Sequence, residues 1–191
     1  MSSVVISGDT SGAITVAAPA VAGTYTQTLP KITGTIATLD NGTAVASTSG
    51  TSIDFTSLPA NIRRITVMFN GVSTSGTSNA QIQLGTGSTT YTTSGYVCTS
   101  SAIASSTTTT SYTSGFGFNG ASASNALYGH VVLTLITGNT WVASGSFLFN
   151  TTNNGTLAGS IALGAALTAV RITTVNGTDT FDAGSINILY E

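Results

Sequence analysis

The sequence contains very few charged side chains. Only ten of its 191 residues, or 5%, are Lys, Arg, Asp or Glu, whereas globular domains usually contain about a quarter. None of the four types occurs between Arg64 and Arg171. Binding to nucleic-acid phosphates needs clustered Lys or Arg, so the composition excludes a basic nucleic-acid surface. A net charge of −2 points to no particular partner, and the composition favours a structural or binding protein over a catalyst.

Cysteine and histidine each occur once, as Cys98 and His130. A single cysteine excludes an intrachain disulfide and a thiolate metal cluster, and a single histidine excludes a metal site built from several imidazoles. A Ser-His-Asp triad lacks support because no G-x-S-x-G elbow occurs. We therefore expect no cofactor, a buried Cys98, and a His130 that is an ordinary strand residue.

We expect no secretory signal, because the start of the sequence is not basic and carries no long apolar run. The longest strongly apolar stretch, Val131 to Ile136, is far too short to cross a bilayer. We expect a protein that is made and stays soluble in a cytoplasm, with no membrane insertion.

Alternating apolar residues dominate the remaining pattern. Glu and Lys occur once each, and helical periodicity is nearly absent. Period-2 runs predict strands at residues 64–70, 127–136 and 141–149 and near the C-terminus. Asn-Gly pairs, which favour the turns of β-hairpins, separate several such runs. The pattern predicts an all-β fold, an antiparallel sandwich or barrel, of which we expect a jelly-roll-like β-sandwich.

The chain is expected to divide near residue 48. Residues 1–48 contain only short apolar segments, which cannot bury both of their faces without a partner. Residues 49–191 are long enough for an independent sandwich. We therefore expect a β-rich N-terminal attachment or trimerisation segment, followed by a C-terminal β-sandwich domain. The apolar residues expected to contact a partner in the first segment are Val4, Ile6, Ile14, Val16 and Leu29.

The edges of the predicted sheets have little protection. Proteins commonly block exposed edges with Lys, other charges, Pro or bulges, and this chain has one Lys and three Pro. The edges are therefore expected to be covered by copies of the same chain, in a homotrimer or another symmetric assembly.

Two motifs could carry chemistry, and each has a structural alternative. Asp179 and Asp182 could bind Ca²⁺ or act as the paired acids of a glycosidase. No third acid lies near them, and in this turn-rich segment the two Asp residues are expected instead to stabilise turns through Asx hydrogen bonds. Residues 115–120, GFGFNG, match the dinucleotide fingerprint G-x-G-x-x-G, but no helix pattern follows them.

Aromatic rings offer a third kind of site, since exposed rings can stack on sugars. Trp141 is in phase with Phe147 and Phe149, which predicts a place in the core. Tyr128 is a further candidate ring. The region from Tyr91 to Tyr112 is interrupted by Ser and Thr and is the better candidate for an exposed surface. The expected glycan contacts are Tyr91, Tyr96 and Tyr112.

Several segments resemble structural proteins of tailed bacteriophages, often of tail-fibre type. They are residues 64–79 (RITVMFNGVSTSGTSN) with the following QIQLG and Gly95-Tyr96, and residues 170–191 (VRITTVNGTDTFDAGSINILYE). Residues 6–23 with the later Thr28-Leu-Pro30 look like the β-rich modules of phage tail and fibre proteins. The resemblance implies a virion structural role, commonly trimeric, with an N-terminal attachment part and an outward-facing sandwich. It supplies no catalytic residues.

These expectations define three functions. The first is a non-enzymatic virion protein made in the host cytoplasm: a short tail-fibre-like appendage or a decoration of capsid or tail. It would contact other virion proteins and the host surface. The second is a carbohydrate-binding module that recognises host surface glycans. The third is a depolymerase that relies on Asp179 and Asp182.

Overall fold

The computed structural model describes residues 3–7, 13–17, 40–120, 122–150 and 153–191. The chain forms two compact units, residues 1–36 and 37–191. The described residues contain no helix, and hence none that could span a bilayer. The all-β prediction is therefore confirmed.

The described part of the first unit is a two-stranded hairpin of β1 (Ser3–Ser7) and β2 (Ala13–Ala17). The strands are antiparallel, with Val4 opposite Val16 and Ile6 opposite Ile14. These four residues therefore form two directly opposed pairs, at alternate positions along the two strands. Leu29, the fifth residue of the expected interface, lies outside the described residues.

The described residues of the second unit form thirteen strands in two antiparallel sheets. They are β3 (Asp40–Asn41), β4 (Val45–Ala46), β5 (Ser52–Phe55), β6 (Arg64–Thr74), β7 (Ala80–Gly85), β8 (Val97–Ile103), β9 (Thr107–Tyr112), β10 (Phe116–Gly117), β11 (Leu127–Thr137), β12 (Thr140–Phe149), β13 (Asn153–Ala162), β14 (Ala169–Thr174) and β15 (Phe181–Tyr190). β3 and β4 precede residue 48 and pair with β15, so the second unit begins before the boundary expected from sequence.

The nine-stranded sheet has the order β3-β15-β6-β11-β12-β13-β8-β9, with β4 also on β15, and the four-stranded sheet has the order β10-β7-β14-β5. Side chains of both sheets enter one hydrophobic core, as in a β-sandwich. The jelly-roll assignment stays a prediction, because this strand order does not establish it.

Aromatic rings fill the centre of the core. Phe118 makes edge-to-face contacts with Phe69 and Phe147, with ring centroids 5.0 and 5.3 Å apart. Gly155, opposite Phe147 in the sheet, makes room for this cluster, because a Cβ there would overlap the Phe147 ring. Trp141 is only 2% exposed, which confirms its predicted place in the core.

Candidate functional site

Part of the outer side of the nine-stranded sheet is a regular array of uncharged side chains. Its strands alternate inward and outward residues, and their register aligns the outward ones in rows across the sheet. One row crosses seven strands and consists of Asn187, Met68, His130, Ser146, Thr156, Ser101 and Thr109. The hydroxyls of Ser101 and Thr156 lie 3.2 Å apart, which shows that neighbours in the row meet.

We call the outward-facing side chains of β11, β12, β13, β8 and β9 the uncharged face. All these strands lie between Arg64 and Arg171, where the sequence has no Lys, Arg, Asp or Glu. The exposed His130 is the only histidine in the chain. This surface offers hydroxyl hydrogen bonds and apolar contact, and it carries no carboxylate, ammonium or guanidinium group.

Tyr128 gives this face an aromatic platform. Its side chain is 39% exposed, which is more than that of any other aromatic residue in the described part of the chain. It lies opposite Leu148 and two residues before His130. A shallow groove of about 220 Å³ runs along Tyr128, Ser146 and Leu148. The exposed aromatic surface is therefore on β11, outside the Tyr91–Tyr112 region that the sequence favoured.

Tyr96 and Tyr112 are core residues, so their expected exposure is wrong. They are 2% and 6% exposed, and burial raises the pKa of each phenol to about 12. The Tyr96 hydroxyl accepts a hydrogen bond from the Leu84 N–H at 2.8 Å, and the Tyr112 hydroxyl accepts one from the Asn79 side-chain amide at 2.9 Å. Neither ring can stack on a sugar while the fold is intact.

Tyr91 is half-buried, and Arg171 covers one side of its ring. The guanidinium carbon lies 4.0 Å from the ring centroid, a cation–π contact. Burial, and then the nearby Asp54 carboxylate, raise the pKa of Tyr91. This ring is therefore packed against the four-stranded sheet and offers less open surface than Tyr128.

Asp179 and Asp182 make separate contacts, Asp179 in the loop before β15 and Asp182 at the start of β15. Asp179 accepts hydrogen bonds from the Ser78 N–H at 2.9 Å and the Asn176 side-chain amide at 2.7 Å. The Asn176 bond, and then the Ser78 bond, lower the pKa of Asp179. Asp182 instead accepts a hydrogen bond from the Ser73 hydroxyl.

Asn176 organises this turn, because its side-chain Oδ1 accepts hydrogen bonds from the N–H groups of Thr178 and Asp179 at 3.0 and 3.3 Å. The Asx turn is therefore made by Asn176 and not, as expected, by the two aspartates, whose carboxylates accept hydrogen bonds from other groups. Within the described ranges, no three His, Cys, Asp or Glu residues come together in a way that could hold a metal ion.

The other sequence candidates have structural roles. Cys98 is buried, and burial raises the pKa of its thiol. The GFGFNG segment runs through β10, where Phe116 and Phe118 are fully buried. A Cβ at Gly117 would overlap the Tyr112 ring, so this glycine permits close packing. The segment is core rather than a loop that leads into a helix.

Sequence reasoning did not single out the uncharged face as a surface. A usable signal was present, since residues 127–136 and 141–149 alternate and their second set of positions includes Tyr128, His130, Ser146 and Leu148. Comparison with known proteins adds no assignment: no family model, no curated protein and no solved structure matches the chain.

Proposed function

We propose that the protein is a non-enzymatic structural component of a bacteriophage particle, a short tail-fibre-like appendage or a decoration of the capsid or tail. The observation that carries the proposal is the uncharged face, a multi-strand surface with ordered hydroxyl and apolar groups and no Lys, Arg, Asp or Glu side chain. Charged residues are depleted in the buried centres of protein interfaces. Such a surface suits permanent contact with neighbouring subunits. The resemblance of residues 64–79 and 170–191 to phage structural proteins supports the same role.

The first unit is the proposed attachment or trimerisation element. A lone two-stranded hairpin is at best marginally stable in water. The β1–β2 hairpin places Val4 opposite Val16 and Ile6 opposite Ile14, so these residues are the proposed contacts with sister chains or other virion proteins. The proposed assembly is a homotrimer in the virion, and its sandwich faces outward.

The scarcity of charge suits work outside a cell. Contacts made by hydroxyl and apolar groups change little with ionic strength, because salt screens only charge interactions. The chain has only four Lys and Arg residues, which leaves few cleavage sites for trypsin-like proteases.

The decisive experiment is the protein composition of purified particles. Particles banded by density gradient are analysed by mass spectrometry, and antibodies against residues 49–191 locate the protein by electron microscopy. We expect a fixed copy number per particle and labelling of the outer surface. Absence from banded particles would disprove the virion role.

A second candidate function, recognition of a neutral host-surface glycan, is favoured by one observation. Tyr128 lies exposed beside a shallow groove, with His130 and Ser146 near it to exchange hydrogen bonds. An aromatic ring with neighbouring polar groups is a common way to hold a sugar ring. The proposed glycan contact therefore moves from Tyr96 and Tyr112 to Tyr128.

Glycan-array binding tests this second function. Tyr128→Ala removes the ring and is expected to abolish binding, while Tyr128→Phe keeps the ring and retains most of it. Equal binding by wild type and Tyr128→Ala would exclude this surface as the glycan site.

A further inference from the structure

The second unit protects its described sheet edges in all places but one. β3, β4 and β10 are two-residue strands, and short edge strands offer little to pair with. β5 has four residues, and one of them, Asp54, carries a charge. β9 has six residues, TTTTSY, with no charge and no proline, and its register with β8 is continuous. β9 is therefore the one long edge without a device that blocks pairing.

The hydrogen-bond ladder shows which groups of β9 face outward. Tyr96 and Ala104 lie just beyond the two ends of β8, and their N–H groups donate to the carbonyl oxygens of Thr113 and Ser106, each at 3.2 Å. The even-numbered residues of β8 therefore direct their backbone hydrogen bonds toward β9. In an antiparallel pair, hydrogen-bonded positions alternate. The hydrogen-bonded pairs between β8 and β9 are therefore Ala102 with Thr108 and Ser100 with Thr110.

The alternate residues of β9, Thr107, Thr109 and Ser111, direct their N–H and C=O groups to the open side. All three are exposed. No other described residue hydrogen-bonds to these backbone groups. Three consecutive outward positions thus form a ready template for one more strand.

We propose that β9 pairs antiparallel with β9 of a second copy of this chain, about a two-fold axis at Thr109. This inference rests on the proposed assembly role. A two-fold pairing of identical strands cannot relate the three chains of one trimer, so this contact joins a chain of one trimer to a chain of another. Thr109 lies opposite Thr109 of the second copy, and Thr107 lies opposite Ser111. Each of these pairs exchanges two backbone hydrogen bonds, so every outward group on the edge is satisfied.

A second copy fits this edge because the strand is complementary to itself. The side chains of Thr107, Thr109 and Ser111 lie on the uncharged face, so the pairing sets hydroxyl beside hydroxyl with no charge repulsion. Cross-strand Thr–Thr and Thr–Ser pairs are favourable in sheets. A two-fold contact of identical surfaces also closes on itself and leaves no long edge exposed.

The test places a charge at the proposed axis and measures self-association of the full chain by sedimentation equilibrium. Thr109→Lys sets two ammonium groups opposite each other, and Thr109→Pro removes one outward N–H from each copy without touching the bonds to β8. Each variant is expected to weaken association about tenfold or more.

Thr66→Lys is the matched control. Thr66 lies on β6, outside the uncharged face, and β6 pairs with β11 on one side and β15 on the other, so the same charge there blocks no edge. This variant is expected to associate within about twofold of the wild type. A mixture of Thr109→Lys and Thr109→Glu chains should regain wild-type association, because opposite charges then face each other across the axis.

Three outcomes overturn the inference: a wild-type chain that stays monomeric, a Thr109→Lys chain that associates as tightly as wild type, or a mixture that shows no recovery. Particle composition keeps the two proposals apart. Detection of the chain in particles with unchanged association of Thr109→Lys would retain the virion role and remove the β9 contact.

Discussion

Arg171 donates two parallel hydrogen bonds to Asp54, from Nε to Oδ1 at 2.8 Å and from Nη2 to Oδ2 at 2.7 Å. The two residues lie directly opposite each other on β14 and β5. The same guanidinium stacks on Tyr91. Two of the ten charged residues therefore hold the edge strand β5 and the 86–92 segment against the four-stranded sheet.

Replacement of Asp54 by Asn should destabilise the sandwich, because the charge-assisted bidentate pair becomes a neutral contact. The side chains are about 30% exposed, so solvent screening limits the expected loss to about 0.5–1 kcal/mol of unfolding free energy. Urea unfolding followed by Trp141 fluorescence measures it. Ser52→Ala on the same strand is the control, and an Asp54→Asn midpoint equal to that of wild type would show that the pair contributes nothing.

Stability should fall in alkali. Tyr96 and Tyr112 have pKa values of about 12 in the folded chain, compared with about 10 when unfolded. The folded state thus favours the neutral phenols, so their contribution is complete below pH 10 and is lost as the pH rises toward 12. Each phenol contributes a decline of up to about 1.4 kcal/mol per pH unit in that range.

Tyr96→Phe separates this effect from packing. The variant should be less stable at pH 8 by about 1–3 kcal/mol, because the buried Leu84 N–H loses its acceptor. Its decline between pH 10 and 12 should be smaller than that of the wild type. Identical slopes for wild type and Tyr96→Phe would contradict the assignment.

Gly155→Ala should damage the core. The added Cβ would overlap both the Phe147 ring and the carbonyl of Ser101 on the neighbouring strand. Overpacking of this kind costs about 1–3 kcal/mol. Gly164→Ala is the matched control, because nothing lies within 4 Å of a Cβ there and it should be close to neutral. A Gly155→Ala melting temperature equal to that of the control would contradict the described packing.

Trp141 should report on the integrity of the core. The ring is 2% exposed, and its Nε1 has no hydrogen-bond partner in the described part of the chain. Native emission is therefore expected to lie to the blue of an exposed indole and to resist quenching by iodide, with a red shift on unfolding. Native emission like that of free tryptophan would place the ring in water.

Local alternation predicted the strands well where one face is buried. Ile65, Val67 and Phe69 face the core and Thr66 and Met68 do not, so the period-2 pattern is visible in the letters. The same alternation also predicts that Tyr96 is buried. Tyr96, Cys98 and Ser100 occupy alternate positions, and all three are buried. The abundance of Ser and Thr in this region masked that phase.

Strand order could not be read from the sequence. β7 lies between β10 and β14, and these pairings join residues far apart in the chain. No local pattern specifies which distant strand satisfies a given edge. The free edge of β9 is visible only once the neighbours of every other strand are known.

The array of hydroxyls across the nine-stranded sheet also sets how the protein behaves at high concentration. With so few ionic groups, molecules repel each other weakly, and water held by Ser and Thr keeps them apart. Strongly excluded salts such as ammonium sulfate compete for that water. The protein should therefore precipitate early in a salting-out series, while moderate changes of pH near neutrality leave its solubility almost unaltered.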